Sequence, residues 1–430
     1  MRPLFQLNHY FWKYRRLFLP GLLCAVASSI FAVVVPVVVR KAVDTIPDFV
    51  TTYQHFASTS VGPYLYGQFF TTLLLYGVLI LVLSLISGLF TFLMRQTVVV
   101  ASRHIEFDLR NRLYEHLQTL PQHFYHRFST GDVITRATSD IEHVRRYIGP
   151  AIMYFTRAIT LVATAVVVML IISPRLTLYA LIPMPFLALS VFFLAHLVNA
   201  RSDAIQKQYA ILTSRVQEAF SGIRVLKAYT REEGEARAFE NESAHYQKRM
   251  LDLAFVDSIW RPVFLVLVGM STIIVVWVGG RLVMEGLITI GNIAEYMIYV
   301  ALMTWPVASM GYVITMVQRG AASMVRLNDI FHTHPDIADD GSTDASVNRI
   351  EGRITFENVG YAYEGAGAPA LADIVFDLPA GRTLAIVGRT GSGKSTLVDM
   401  IPRLLEPTSG RVLIDGRDVR EIPLHVLRSA

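Results

Sequence analysis

Leu384-Ala385-Ile386-Val387-Gly388-Arg389-Thr390-Gly391-Ser392-Gly393-Lys394-Ser395-Thr396 is the stretch from which the rest of the chain is best read. Four apolar, strand-forming residues run directly into a complete G-x-x-x-x-G-K-[ST] element, and a helical pattern follows over 396–405 with a break near Pro402. The letters have a chemical reason. Glycines let successive backbone N–H groups close around phosphate oxygens, and the following helix presents its positive end. Lys394 would neutralise the outer phosphates and the Ser395 hydroxyl would ligate Mg²⁺. A Gly-rich turn that binds nothing can carry the same letters, but it needs neither a buried strand before it nor a helix after it.

Upstream the composition is of another kind. The 430 residues are 53% hydrophobic and only 17% charged, too apolar for an ordinary soluble protein. Six runs, at 17–39, 69–94, 151–172, 176–197, 262–283 and 293–317, are long enough to cross a hydrocarbon core. All are expected to be helices, because lipid cannot satisfy free backbone groups and the runs lack the alternation of barrel strands. Pro36, Pro183, Pro185 and Pro306 are expected to kink these helices rather than end them. Lys13, Arg15 and Arg16 ahead of the first run imitate a secretory signal, but the run continues to Val39 and reads as an uncleaved span. The single cysteine, Cys24, lies inside that run and allows no intrachain disulfide.

The net charge of +5 raises the question of nucleic acid, yet the basic residues fall between apolar runs rather than in one patch, so no nucleic-acid partner is assigned. Their distribution sets orientation instead. Arg95, Arg103, Arg110, Arg112, Arg127, Arg136, Arg145 and Arg146 lie between the second and third spans, and a similar set spans 201–261. The connections after the first, third and fifth spans hold little beyond Arg40, Lys41, Arg175 and Arg281. The positive-inside rule therefore places both termini and both long loops in the cytoplasm. Ile105, Leu109, Leu113, Leu117 and Leu120 form a stripe at helical spacing until Pro121, so the loops read as helical arms. An arm of roughly 25 residues would extend about 40 Å at 1.5 Å per residue. In the second loop Thr230 and Glu233 have capping-box spacing and would start a short helix through Phe239, either as a local cap or as something more. Two charges sit in or beside spans. Arg157 would either snorkel to the headgroups or face a substrate path, and Glu295 would either sit at a wet outer helix end or face the same path.

After Val325 the chain becomes rich in Pro, Asp, Gly, Ser and Thr, and residues 331–350 read as a linker between a membrane domain at 1–330 and a nucleotide part at 351–430. His332 and His334 could ligate a metal but lack further ligands and read as surface residues. Residues 354–363 and 374–378 look like strands.

Taken together, these features resemble the ABC exporters, and the likeness covers essentially the whole chain. Gly131-Asp132-Val133-Ile134-Thr135-Arg136 with Asp140 is similar to the family's first cytoplasmic loop, and residues 218–229, from Glu218 to Tyr229, are similar to its second. The resemblance implies that residues 230–239 and the tip near 130–136 are coupling helices that dock on nucleotide-binding domains. It implies a fold: an α-helical membrane domain of six transmembrane helices with long cytoplasmic extensions, followed by the N-terminal part of an α/β P-loop nucleotide-binding domain. It implies ATP and Mg²⁺ as cofactors, held by Gly388, Arg389, Thr390, Gly391, Ser392, Gly393, Lys394, Ser395 and Thr396, with Ser395 on the metal. Residues 356–363 look like the strand whose last aromatic stacks on adenine, which makes Tyr363 the base platform; on residues alone it would pack on its own sheet. The expected partners are a second transporter half, identical or related, membrane lipid, and a small or lipophilic substrate. A bacterial inner membrane is compatible with the pattern.

The family's signature sequence, metal-binding aspartate, catalytic glutamate and switch histidine follow beyond the equivalent of Ala430, so no catalytic residue is assigned and little ATP turnover is expected of the chain as written. The nucleotide sheet is expected to carry an exposed edge. A nucleotide-binding regulatory or channel-like protein that does not pump, and a fragment without function, are the competing readings.

Overall fold

The computed structural model describes residues 2–59, 61–363 and 367–429; Met1 and Ala430, the outer limits of the domains read from sequence, lie outside them. In chain order the helices are α1 Asn8–Lys13, α2 Arg15–Phe56, α3 Gly62–Thr119, α4 Gln122–Arg127, α5 Thr130–Thr135, α6 Ile141–Arg146, α7 Ile152–Ile172, α8 Pro174–Leu181, α9 Pro183–Ser221, α10 Ile223–Ala228, α11 Glu232–Met284 and α12 Ile290–Phe331. Then come strands β1 Ile354–Tyr361 and β2 Leu371–Leu378, helix α13 Lys394–Met400, strands β3 Ser409–Ile414 and β4 Arg417–Asp418, and helix α14 Leu424–Ser429. Two compact units result, one formed by residues 5–104 and 145–320, the other by residues 2–4, 105–144 and 321–429.

The first unit is the membrane part. Six helices are long and apolar enough to span a bilayer, and each contains one of the runs read from the sequence. Val33, Met169, Leu176, Val275, Tyr296, Tyr299 and Met303 make a core in which α2, α7, α8, α11 and α12 all take part. Lipid gives no hydrophobic drive between helices, so polar groups add to the packing. Ser28 on α2 meets Thr91 on α3 at 2.7 Å and donates to the Ser87 carbonyl at 3.1 Å. Tyr299 on α12 reaches the Val33 carbonyl at 3.0 Å. Pro36, Pro262 and Pro306 are accommodated inside continuous helices. At Pro183 the helix is interrupted for one residue, Ile182, whose φ of −52° and ψ of −44° stay helical, so α8 and α9 continue one another as a single span over Pro174–Ser221 and the proline does not end it. Pro183 and Pro185 together withdraw two donors from one turn, which accounts for the interruption. Beyond the apolar runs α9 and α11 continue side by side, joined by Arg215 to Glu235 at 2.7 Å and Gln208 to Glu242 at 2.6 Å.

In the second unit the stripe on α3 is buried throughout, from Ile105 at 0% exposure to Leu117 at 8%. Across from it, Asp140 accepts from Arg326 Nε at 2.9 Å and from Ser323 at 2.9 Å, and Arg112 stacks over the Phe331 ring at 4.7 Å. The loop tips differ from expectation in both arms. The free-standing short helix of the first is α4, while Thr130 opens the returning helix, capped by Ser129, whose hydroxyl accepts from the Asp132 N–H at 3.2 Å. In the second loop the short helix is α10, inside the stretch 218–229. Thr230 does not cap: its φ of +51° puts it in the left-handed region, where it turns the chain between α10 and α11. Arg231 precedes α11 with no side-chain cap, so the Thr230/Glu233 box is not formed.

The nucleotide part is a four-stranded antiparallel sheet in the order β2-β1-β3-β4. Phe356 of β1 lies opposite Phe376 of β2 and Val412 of β3, and its buried side chain joins Met400, Val412, Ile422 and Leu427 in the core. β1 ends at Tyr361 and β2 starts at Leu371, so both differ by a few residues from the ranges read in the sequence. The larger correction concerns residues 384–387. No strand forms there and none pairs with it among the described residues; Val387 is 91% exposed. An apolar run becomes a buried strand only where a neighbouring backbone completes its hydrogen bonds, and the four strands present pair with one another instead.

Candidate nucleotide-binding site

The loop between β2 and α13 is shaped by its glycines. Gly391 and Gly393 have φ of +81° and +85°, a region L side chains enter at a cost, and the chain passes from Gly393 straight into α13. A methyl on Gly388 would stand 2.6 Å from Ser392 Oγ. One on Gly393 would stand 2.7 Å from both the Ala370 carbonyl oxygen and Leu371 Cδ2. The cradle is therefore closed to side chains at two points. Lys394 lies across it: Nζ donates to the carbonyls of Gly388 at 2.9 Å and Arg389 at 2.7 Å, with Ser392 Oγ at 3.4 Å. Arg389, Thr390 and Ser392 are exposed along the rim, Ser395 is exposed in the first turn of α13, and Thr396 is buried behind it.

Tyr363 comes to the same place. Its hydroxyl lies 3.0 Å from Thr396 Oγ1, its ring meets Tyr361 edge-on at 4.9 Å, and 44% of it remains exposed. The aromatic read from sequence thus stands beside the phosphate loop with a free face, while also packing on its own strand. The support of Gly393 by Ala370 and Leu371 had no signal in residue spacing, since the contact joins segments far apart in the chain.

The residues present fit a magnesium nucleotide. Residues 388–396 carry two cationic side chains and no carboxylate, and the glycines leave the backbone open where Cβ atoms would intrude. Ser395 would give a magnesium ion one hydroxyl, the rest of its shell coming from phosphate oxygens and water, as that ion prefers. Among the described residues no group of three His, Cys, Asp or Glu side chains gathers to hold a metal.

Of the two charges in the membrane unit, Arg157 is half-buried on α7. Glu295 is not at a wet helix end. It is fully buried, with Arg40 at 3.4 Å, Asn292 Nδ2 at 3.3 Å and the Tyr299 hydroxyl at 3.0 Å. Asp44 nearby accepts from the Gly291 N–H at 2.7 Å and Thr289 at 2.7 Å, so α2 and the start of α12 are tied together by polar groups.

Residues 18–307 match the ABC transporter transmembrane region, about two thirds of the chain, and residues 371–430 match the family described as ABC transporter. The chain belongs to the ABC transporter family. This ABC transporter chain is 32% identical over 325 residues to a probable multidrug resistance ABC transporter ATP-binding/permease protein of Bacillus subtilis, covering 75% of the chain and 55% of the relative. It is 27% identical over 430 residues to a multidrug resistance-like ATP-binding protein of Escherichia coli, covering 100% and 70%. An ATP-dependent lipid A-core flippase of Chromohalobacter salexigens is 31% identical over 341 residues, 79% of the chain and 58% of the relative. The transporter chain thus spans between 55% and 70% of the length of these relatives. It is an integral, multi-pass membrane protein with an ATP-binding domain.

Proposed function

We propose that this chain is the ATP-binding half of an exporter that couples nucleotide binding and hydrolysis to movement of a small or lipophilic molecule out of the cytoplasm. The observation that carries the reading is the phosphate-shaped loop at 388–396, crossed by Lys394, in the same chain as six spanning helices. Bound ATP would supply the charge and the phosphoryl chemistry. Lys394 would exchange its two carbonyl partners for phosphate oxygens, Ser395 would meet Mg²⁺, and Tyr363 would offer its exposed face to the base. The membrane domain then runs over 1–330, the linker over 331–350 and the nucleotide part over 351–430. Dense basic residues in the two long loops support cytoplasmic arms and termini, and the bacterial relatives support an inner-membrane location. The working unit is a pair of such halves, identical or related. The relatives named for multidrug resistance and for lipid A-core flipping favour hydrophobic cargo.

The test is ATP binding by the chain, and ATP-driven uptake into inverted vesicles by the chain joined to the remaining nucleotide-domain sequence of a relative, each measured with and without Lys394→Ala. Loss of both nucleotide binding and uptake in the variant is the expected result. Uptake that survives Lys394→Ala overturns the exporter reading in favour of a membrane protein whose nucleotide site regulates rather than drives.

A further inference from the structure

Within the membrane unit, α7, α9 and α12 line an open cavity of about 780 Å³ whose lining among the described residues, including Val162, Val166, Phe192, Met310 and Ile314, carries no charged side chain. That volume is in the range of pockets for drug-sized ligands, roughly 300–1,000 Å³. Val191 and Gly311 belong both to this cavity and to a second hollow of about 270 Å³ between α9, α11 and α12. The two form one cleft with unlike ends. The second hollow is lined by Asp257, Trp260 and Tyr312. Asp257 precedes the apolar run that begins at 262, so the polar end lies at the edge of the hydrocarbon and the apolar end deeper within it. No described residue makes a hydrogen bond or ion pair with the Asp257 carboxylate; Arg261, one turn further along α11, does not bond it. Among the described residues no Lys or Arg lines either hollow.

We propose that this cleft binds lipophilic cations, the apolar body in the larger hollow and the positive head at Asp257 against the faces of Trp260 and Tyr312. A carboxylate and an indole face attract the same charge. The anionic phosphate of a lipid headgroup would meet repulsion at the same point. The role of such cations as cargo rests on the exporter reading, but their binding does not.

The probes are tetraphenylphosphonium and tetraphenylborate, nearly identical in size and apolar surface and opposite in charge. Binding to the full chain in nanodiscs of zwitterionic lipid is measured by equilibrium dialysis without nucleotide, and uptake by protein-free discs is subtracted. The cation is expected to bind at least about tenfold more tightly than the anion, by the Coulomb attraction of the exposed, unpaired Asp257 carboxylate at the protein surface. Asp257→Asn is expected to remove that preference, Asp257→Glu to keep it, and Gly311→Leu to weaken both ions by filling the junction of the hollows. Equal binding of the two ions, or cation binding untouched by Asp257→Asn, overturns the proposal. So does a cross-link placing a second copy's helix in the cleft with neither ion bound. Charge-selective binding that depends on Asp257, found together with no ATP-driven uptake of any probe, upholds the site while the exporter reading falls.

Discussion

Replacing Gly393 by alanine tests the phosphate loop at the point where two costs add. The residue has φ of +85°, and forcing an L residue into that region costs about 1–2 kcal/mol. The new methyl would also stand 2.7 Å from the Ala370 carbonyl oxygen and 2.7 Å from Leu371 Cδ2, and the carbonyl belongs to backbone held by its own bond to β1, Ala370 N–H to Tyr361 O at 2.7 Å. Relieving such a contact costs about 1–3 kcal/mol. The loop conformation that exposes its N–H groups is therefore disfavoured by about 2–5 kcal/mol, and ATP affinity should fall from roughly thirtyfold to a few thousandfold at about 1.4 kcal/mol per tenfold. Gly391→Ala is the built-in control. Its φ is +81° but no heavy atom of the described residues lies within 4 Å of the added methyl, so only the first cost applies and the loss should be about five- to thirtyfold. Equilibrium binding of a fluorescent ATP analogue to both variants in nanodiscs decides the matter. Gly393→Ala binding as well as Gly391→Ala would refute the reasoning, because the packing against Ala370 and Leu371 would then not shape the site.

Glu295→Ala should destabilise the membrane unit by about 3–5 kcal/mol, since it strands Arg40 beside a buried gap, whereas Glu295→Gln keeps partners for Asn292 and Tyr299 and should cost clearly less; thermal unfolding in detergent ranks the two. Leu113→Ala, at a site 1% exposed in the α3 stripe, should cost about 2–5 kcal/mol and raise hydrogen exchange in residues 105–119 without changing ATP affinity. Burial pushes the Asp415 carboxyl upward, but the backbone N–H groups of Arg353, Glu351 and Gly352 outweigh it and hold the group below its ordinary value. A lowered carboxyl stabilises the fold above its unfolded value and loses that contribution as the pH falls through the lowered one. Acid should therefore loosen the start of β1 below about pH 4, and Asp415→Asn should flatten this acid limb, as read by hydrogen exchange across residues 351–361.

The parts of this molecule legible from sequence were those written in local spacing. The α3 stripe is a 3.6-residue pattern and is buried from Ile105 to Leu120; the six apolar runs and the loop from Gly388 to Thr396 carry their meaning in adjacent letters. What escaped depends on partners distant in the chain. Leu384 to Val387 have the composition of a buried strand, yet a strand is a property of two backbones, and none of the strands present lies beside this one. Glu295 looked peripheral because only folding brings Arg40 to it. The capping box at Thr230 failed for a local reason of another sort: the same residue was needed in the left-handed region to turn the chain out of α10, and one backbone cannot serve both conformations.

The uncovered residues 384–387 bear on how the chain behaves in a test tube. Leu384, Ile386 and Val387 are 46%, 39% and 91% exposed, and among the described residues no strand pairs with the segment's backbone donors and acceptors. Two copies meeting there can zip into a shared ladder, an attachment that detergent around the membrane helices does nothing to prevent. Turbidity should therefore climb with protein concentration at fixed detergent, and a lysine at Val387, the most exposed position, should keep the sample clear.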